Sequence, residues 1–230
     1  MVGLSLFDGV AVAFFIGAWI LYRFVNEHGI GGKPSLSVLM NRHRLGWMAA
    51  MAARDSRIAD ANIMSSLQNG AAFFASTSLL LLGGAAAAMR AADDVLKMVG
   101  DLSVGSVVAT RGAWETKVLG LALIFGYAFF KFAWSYRLFI YAAILLGATP
   151  GPESPDARAR EEASQRAGFM TIDAGLHFAK GLRSFYFAFA YIGWFVGPAM
   201  LIATTIAIFV IVMRRQFFSA ARFALTHGGE

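Results

Sequence analysis

The sequence predicts an all-α, multi-pass transmembrane helical bundle of four spans with amphipathic cytoplasmic helices, and three observations carry that prediction. Of 230 residues, 58% are hydrophobic and 15% charged, with a mean hydropathy of +0.60; an average soluble protein is roughly 25% charged. Four runs approach or exceed the ~20 apolar residues that cross a bilayer as helix. Lipid offers no partner to an open sheet edge, so such runs are helices.

The first run extends from about Leu4 to Tyr22, with one acid, Asp8. After it, residues 36–53 ("LSVLMNRHRLGWMAAMAA") place Leu39, Met40, Trp47, Met48 and Met51 at three- and four-residue steps, a helical period. Basic residues beside Trp and Met suit a helix lying at the membrane interface. Asp55 or Ser56 then caps a helix leading into the second run, Ala71–Met89, which carries no charge. The third run, about Val118 to Ala148, contains "IFGYAFFKFAWSYRLFIYAAILLG" (124–147), with Lys131 and Arg137 in its middle. The stretch "TPGPESPDA" (149–157) holds three of the five prolines and breaks the chain. A helical segment over about 157–185 leads into the fourth run, Tyr186–Met213, which Pro198 should bend. The whole of 1–230 reads as one membrane domain, with cytoplasmic helical segments at about 36–66 and 157–185.

Lys and Arg counts set the expected orientation. Eleven lie on the connections that follow the first and third runs, and seven on the second connection and the tail. Both termini are therefore expected outside, although Arg214, Arg215 and Arg222 in the tail run against the rule. The N-terminus lacks a basic n-region, so no removable signal peptide is expected. The net charge of +6 comes without a basic tail or nucleic-acid motif. Basic loops facing an anionic leaflet explain it, which makes anionic membrane lipids the expected partners and nucleic acid not one.

Three constellations stand out. A turn of about 100° per residue places Lys131, Trp134 and Arg137 in one arc, with Tyr127 and Tyr141 beside them. Phe125, Phe129, Phe132, Tyr136 and Phe139 fall opposite, on a face that reads as lipid-facing. The cations either snorkel to phosphates, pair internally, or form an anion or headgroup site. Arg54, Arg57 and Arg183 join them as lipid-binding candidates, with Arg57 placed to pair with Asp60.

The second constellation is a polar seam at seven-residue steps, Asp55, Asn62, Asn69 and Ser76, continuing to Gly83 and Arg90. It reads as helix packing or as the lining of a water path. The third is Gly193 and Gly197, one turn apart, a small-residue contact within or between protomers. Asp173, His177, Lys180 and Ser184 also share a helix face, read either as an acid/base set or as a wetted surface.

Three blocks carry a family resemblance: "NRHRLGWMAAMAARDSRIADANIMSSLQNGAAFFASTSLLLLGG" (41–84), "FFKFAWSYRLFIYAAILLGA" (129–148) and "GLRSFYFAFAYIGWFVGPAMLIATT" (181–205). They resemble the bacterial and plant membrane proteins grouped as domain-of-unknown-function family 599, from Asn41 to about Arg222. The resemblance implies a multi-span membrane protein, here of a bacterial inner membrane, and carries over no activity and no site residues.

Function must then be read from the residues. The absence of Cys excludes disulfides and thiol chemistry. His28, His43, His177 and His227 all lie outside the uncharged cores of the runs, away from where haem ligands would sit. No metal-ligand cluster, phosphate loop or nucleophile elbow is present, so no catalytic residue, cofactor or metal is expected. The expectation is a non-enzymatic homo-oligomeric scaffold that binds anionic lipid at a basic cytoplasmic rim. A small channel or transporter for an ion or small anion is the alternative, and a membrane enzyme acting on a lipid or quinone the second.

Overall fold

A computed structural model describes residues 3–101 and 110–227. Eight helices follow in order: α1 (Leu6–His28), α2 (Leu36–Ala52), α3 (Ile58–Arg90), α4 (Ala92–Asp101), α5 (Arg111–Ala148), α6 (Ala157–Val196), α7 (Pro198–Phe217) and α8 (Ala220–His227). The described residues contain no strand, only an isolated bridge between Ile30 and Lys33. Among the described residues four helices are long and apolar enough to cross a membrane: α1, α3, α5, and the stretch from α7 through Thr226. The protein is an all-α, multi-pass membrane protein.

The chain forms two compact units. Unit 1 comprises residues 1–35, 78–128 and 182–230, and unit 2 comprises 36–77 and 129–181.

In unit 1, α1 starts with a capping box. Ser5 Oγ accepts from the Asp8 amide, and the Asp8 carboxylate accepts from the Ser5 amide at 2.9 Å; together they satisfy donors that a helix start leaves open. The apolar face of α1 (Ala11, Phe15, Tyr22) packs against Phe187, Tyr191 and Trp194 of α6. The contacts run antiparallel. Tyr22 and Phe15 both meet Phe187, at 6.1 and 5.8 Å between ring centroids, and Phe15 also meets Tyr191 at 5.5 Å. Asp8 accepts from Trp194. Helix α1 ends at Gly29, with φ of 83°, where an added Cβ would lie 2.6 Å from the Lys33 carbonyl oxygen, so only glycine fits. The following "IGGK" is a two-glycine turn, closed by bonds between Ile30 and Lys33 in both directions.

The expected continuous span 186–213 is two helices. Helix α6 stops at Val196, Gly197 is nearly extended, and α7 begins at Pro198. Proline has no N–H for the carbonyl four residues back and biases the residue before it toward extended backbone. The chain reverses there instead of bending, and Thr204 Oγ1 reaches back to the Ala190 carbonyl at 2.7 Å. Helix α7 then runs beside α1, with Tyr22 against Phe209. Past its end, Arg222 Nε donates to the Pro34 carbonyl at 3.2 Å.

This corrects the expected topology. The described chain begins at the Asp8 end of α1 and finishes at the Pro34 end; with α1 across the membrane, the end of α6 recrosses beside it in addition to the four apolar helices, so the two ends lie on opposite faces. The Arg-bearing tail no longer runs against the charge rule, because it joins the end of unit 1 that carries Arg23 and Lys33.

In unit 2 the core is Met48 and Met51 of α2, Met64 and Ala71 of α3, Leu138, Phe139, Ala142 and Leu146 of α5, and Ala167 and Ala174 of α6. Leu39, Met48, Met51 and Ala52 are the buried residues of α2, while Met40 is exposed. Gly168 and Gly175 let α2 approach α6 closely, since a Cβ on either would strike Leu45 or Arg44.

Candidate functional site

One end of unit 1 gathers Arg23, Lys33, Arg183, Arg214, Arg215 and Arg222 against a single described carboxylate, Glu27. The ends of α1, α7 and α8 and the middle of α6 bring them together. Arg23 pairs with Glu27 at 3.2 Å. Arg215 lies 5.9 Å from the Tyr186 ring and reaches its hydroxyl at 3.4 Å. Arg183 is 7% exposed and lies over the Tyr22 ring, 5.0 Å from its centroid. Such an excess of positive charge attracts anions.

The opposite end of unit 1 is built differently. Arg111 is held by Asp93 and Glu115. Lys117, 4% exposed, donates its ammonium to the Trp194 carbonyl at 2.8 Å and lies 5.4 Å from the indole centroid. The indole N–H in turn donates to Asp8 at 2.7 Å. Sequence reasoning missed this network. Its signal was present: Trp194 stands four residues before Pro198, so its carbonyl needs another donor.

The Lys131 face lies in unit 2, and its reading is corrected. Phe132 and Phe139 are the buried side of α5, at 0% and 2% exposure, whereas Trp134 is 45% exposed and Arg137 points outward with it. Arg137 Nε donates to the Tyr141 hydroxyl at 2.6 Å, and the guanidinium lies 5.8 Å from the Trp134 ring. The more apolar face was needed for the protein core. Trp134 also meets His177 of α6 at 6.4 Å. His177 approaches Asp173 at 3.9 Å, and its Nδ1 is buried without a partner. Burial pushes the His177 imidazole below its ordinary value; Asp173 opposes this, and Lys131 and Lys180 reinforce it.

Arg54 and Arg57 are structural. Asp60, fully buried, takes Arg54 at 2.6 Å and the Trp47 indole at 2.7 Å. Arg57 does not pair with Asp60 as expected. Its Nη2 donates to the Pro150 carbonyl at 2.7 Å, and its Nη1 serves the carbonyls of Leu146 and Thr149. These carbonyls lie at the end of α5 and just past it, and the Leu146 carbonyl also accepts from the Thr149 amide at 3.3 Å.

The polar seam lies outside. Asp55 precedes α3, and Asn62, Asn69 and Ser76 occupy its exposed face, while Met64, Ala71, Ser78 and Ala85 form the buried stripe. Both stripes have seven-residue spacing, so periodicity could not choose between them. Gly193 is used within the chain: a Cβ there would strike Thr204 and lie 3.0 Å from the Met200 carbonyl oxygen. Gly197 marks the break and has open space around it.

No curated protein and no solved structure matches this chain. The family described as "Protein of unknown function, DUF599" matches residues 10–221, almost the whole chain. With that coverage, and with apolar helices that agree with the resemblance in its three sequence blocks, the chain belongs to the DUF599 family.

Proposed function

We propose that this protein is a non-enzymatic membrane scaffold that binds anionic lipid at the basic end of unit 1. The observation that carries the reading is the charge contrast within that unit. Six Lys and Arg face one described carboxylate at one end, while at the other end cations are matched by Asp8, Asp93, Asp94 and Glu115. Excess Lys and Arg favour the cytoplasmic face, where anionic headgroups attract them. In a bacterium that membrane is the inner one. Self-assembly belongs to the proposal: α3 is the least buried of the four apolar helices and turns its polar stripe outward, a face that a second copy would cover.

Native mass spectrometry of the detergent-purified protein, mixed with phosphatidylcholine or phosphatidylglycerol, tests both parts. The expected result is preferential retention of phosphatidylglycerol, weakened by salt and by the triple change Arg214→Gln, Arg215→Gln, Arg222→Gln, on a protein of more than one copy. Equal retention of the two lipids contradicts lipid recognition, and a monomer throughout contradicts assembly.

A further inference from the structure

Arg183 differs from its neighbours at the basic end. It is buried, its Nε has no hydrogen-bond partner, and among the described residues its guanidinium has neither a hydrogen bond nor an ion pair. A guanidinium carries five N–H donors in a rigid fork. Burying that charge without acceptors is costly, and a ring face such as that of Tyr22 compensates for only part of the cost. Glu27 on α1 acts on Arg183 only through space and is itself engaged by Arg23 at 3.2 Å.

A second group is left open one turn along α1 from the Tyr22 ring that Arg183 overlies. Asn26 follows Tyr22 by one turn on the same face of α1, is 8% exposed, and has a buried amide oxygen without a partner. Turning that amide over presents its NH2 instead, and the two orientations are not distinguished by the side chain's shape. On α6, Tyr186 lies one turn from Arg183 and brings the Arg215 guanidinium to the same face.

We propose that Arg183 anchors a specific site for one phosphate group, floored by the Tyr22 ring and flanked by the Asn26 amide and Arg215. A phosphate oxygen pair matches the guanidinium fork, which an ammonium cannot reproduce. Aromatic walls and the membrane setting favour the phosphate of a lipid headgroup over a free one. The proposal rests on the anionic-lipid reading and sharpens it from a charged surface to one built site.

The test uses the full-length protein in non-ionic detergent, with thermal unfolding and native mass spectrometry as readouts. The probes, added to the detergent micelles, are phosphatidylglycerol, the phosphate-free lipid diacylglycerol, and inorganic phosphate. Wild type should be stabilised by phosphatidylglycerol and retain one lipid after the rest are stripped. Arg183→Lys should lose that lipid with at least a tenfold weaker affinity, while Lys97→Gln, at the opposite end of unit 1, should stay within about twofold of wild type.

Asn26→Asp supplies an internal carboxylate for Arg183. It should raise the lipid-free melting temperature and block retention of the last lipid. Should inorganic phosphate stabilise as well as the lipid, in an Arg183-dependent way, the phosphate site stands and its ligand is soluble. Unchanged lipid retention in both Arg183→Lys and Asn26→Asp overturns the site while leaving surface binding intact. Loss of any preference for phosphatidylglycerol in wild type overturns the broader reading.

Discussion

The Lys117 ammonium donates to the Trp194 carbonyl, the one that Pro198 leaves without a backbone donor. The same solution recurs in unit 2, where Arg57 serves the carbonyl of Leu146, four residues before Pro150. Each proline ends a helix by withholding an N–H; at Trp194 a lysine of another helix donates instead, and at Leu146 the Thr149 amide and Arg57 share the carbonyl. The negative end of a helix dipole favours that placement.

Lys117→Met should therefore destabilise the protein by about 1–3 kcal/mol, the range for stranding a buried acceptor of a charged hydrogen bond. Loosening should concentrate at the α6–α7 turn. Hydrogen exchange of Gly197 and Leu201 amides, compared with that in α2, checks the location; uniform loosening would contradict it.

Arg57→Ala should cost a similar amount, about 2–3 kcal/mol, and Arg57→Lys should not restore it. One ammonium cannot reach carbonyls on three residues in the geometry of the guanidinium fork. Thermal unfolding of the pair decides: a fully stable Arg57→Lys would show that charge alone matters there.

Gly193→Leu should disrupt the reversal between α6 and α7, because its side chain must displace Thr204 and the Met200 backbone. Overpacking of this kind costs about 1–3 kcal/mol. The copy number seen by native mass spectrometry should be the same for Gly193→Leu as for wild type. A fully stable variant with altered assembly would place the glycine between copies instead.

Much of the architecture was legible because hydropathy reports membrane crossing directly. The four apolar runs lie within α1, α3, α5 and the α6–α7 region. Pro198 announced a break, but whether a chain bends or turns back depends on what it packs against, here Ala190 meeting Thr204. Helical spacing put Trp134 and Arg137 on one face, where they meet, yet a helical wheel states which residues share a face and not which face points in. Phe132 and Phe139 went to the core, and Trp134 with Arg137 outward. Asp8 with Ser5 matches a capping pattern readable from sequence; its bond to Trp194 joins residues far apart in the chain and was not.

Stability should also depend on pH through His177. Burial holds its imidazole below the ordinary 6.5, so in the window below that value the unfolded chain binds a proton that the folded protein resists. The contribution is fully present above about pH 6.5 and is lost as pH falls through the lower folded value. Asp173 moderates the effect, and Lys131 and Lys180 strengthen it. His177→Gln should flatten the melting-temperature profile between about pH 5 and 7; an unaltered slope would remove His177 as its source.

The basic end exists only if the tail returns to the side of the α1–α2 turn. The chain has no Cys, so single cysteines report sidedness without background. Lys33→Cys, Lys97→Cys and Thr226→Cys, each labelled by an impermeant maleimide in membrane vesicles of one orientation, make the measurement. The account predicts that Lys33→Cys and Thr226→Cys label from one side and Lys97→Cys from the other. Labelling of Thr226→Cys together with Lys97→Cys would mean that 186–213 crosses once without turning back, and the basic end would not be assembled.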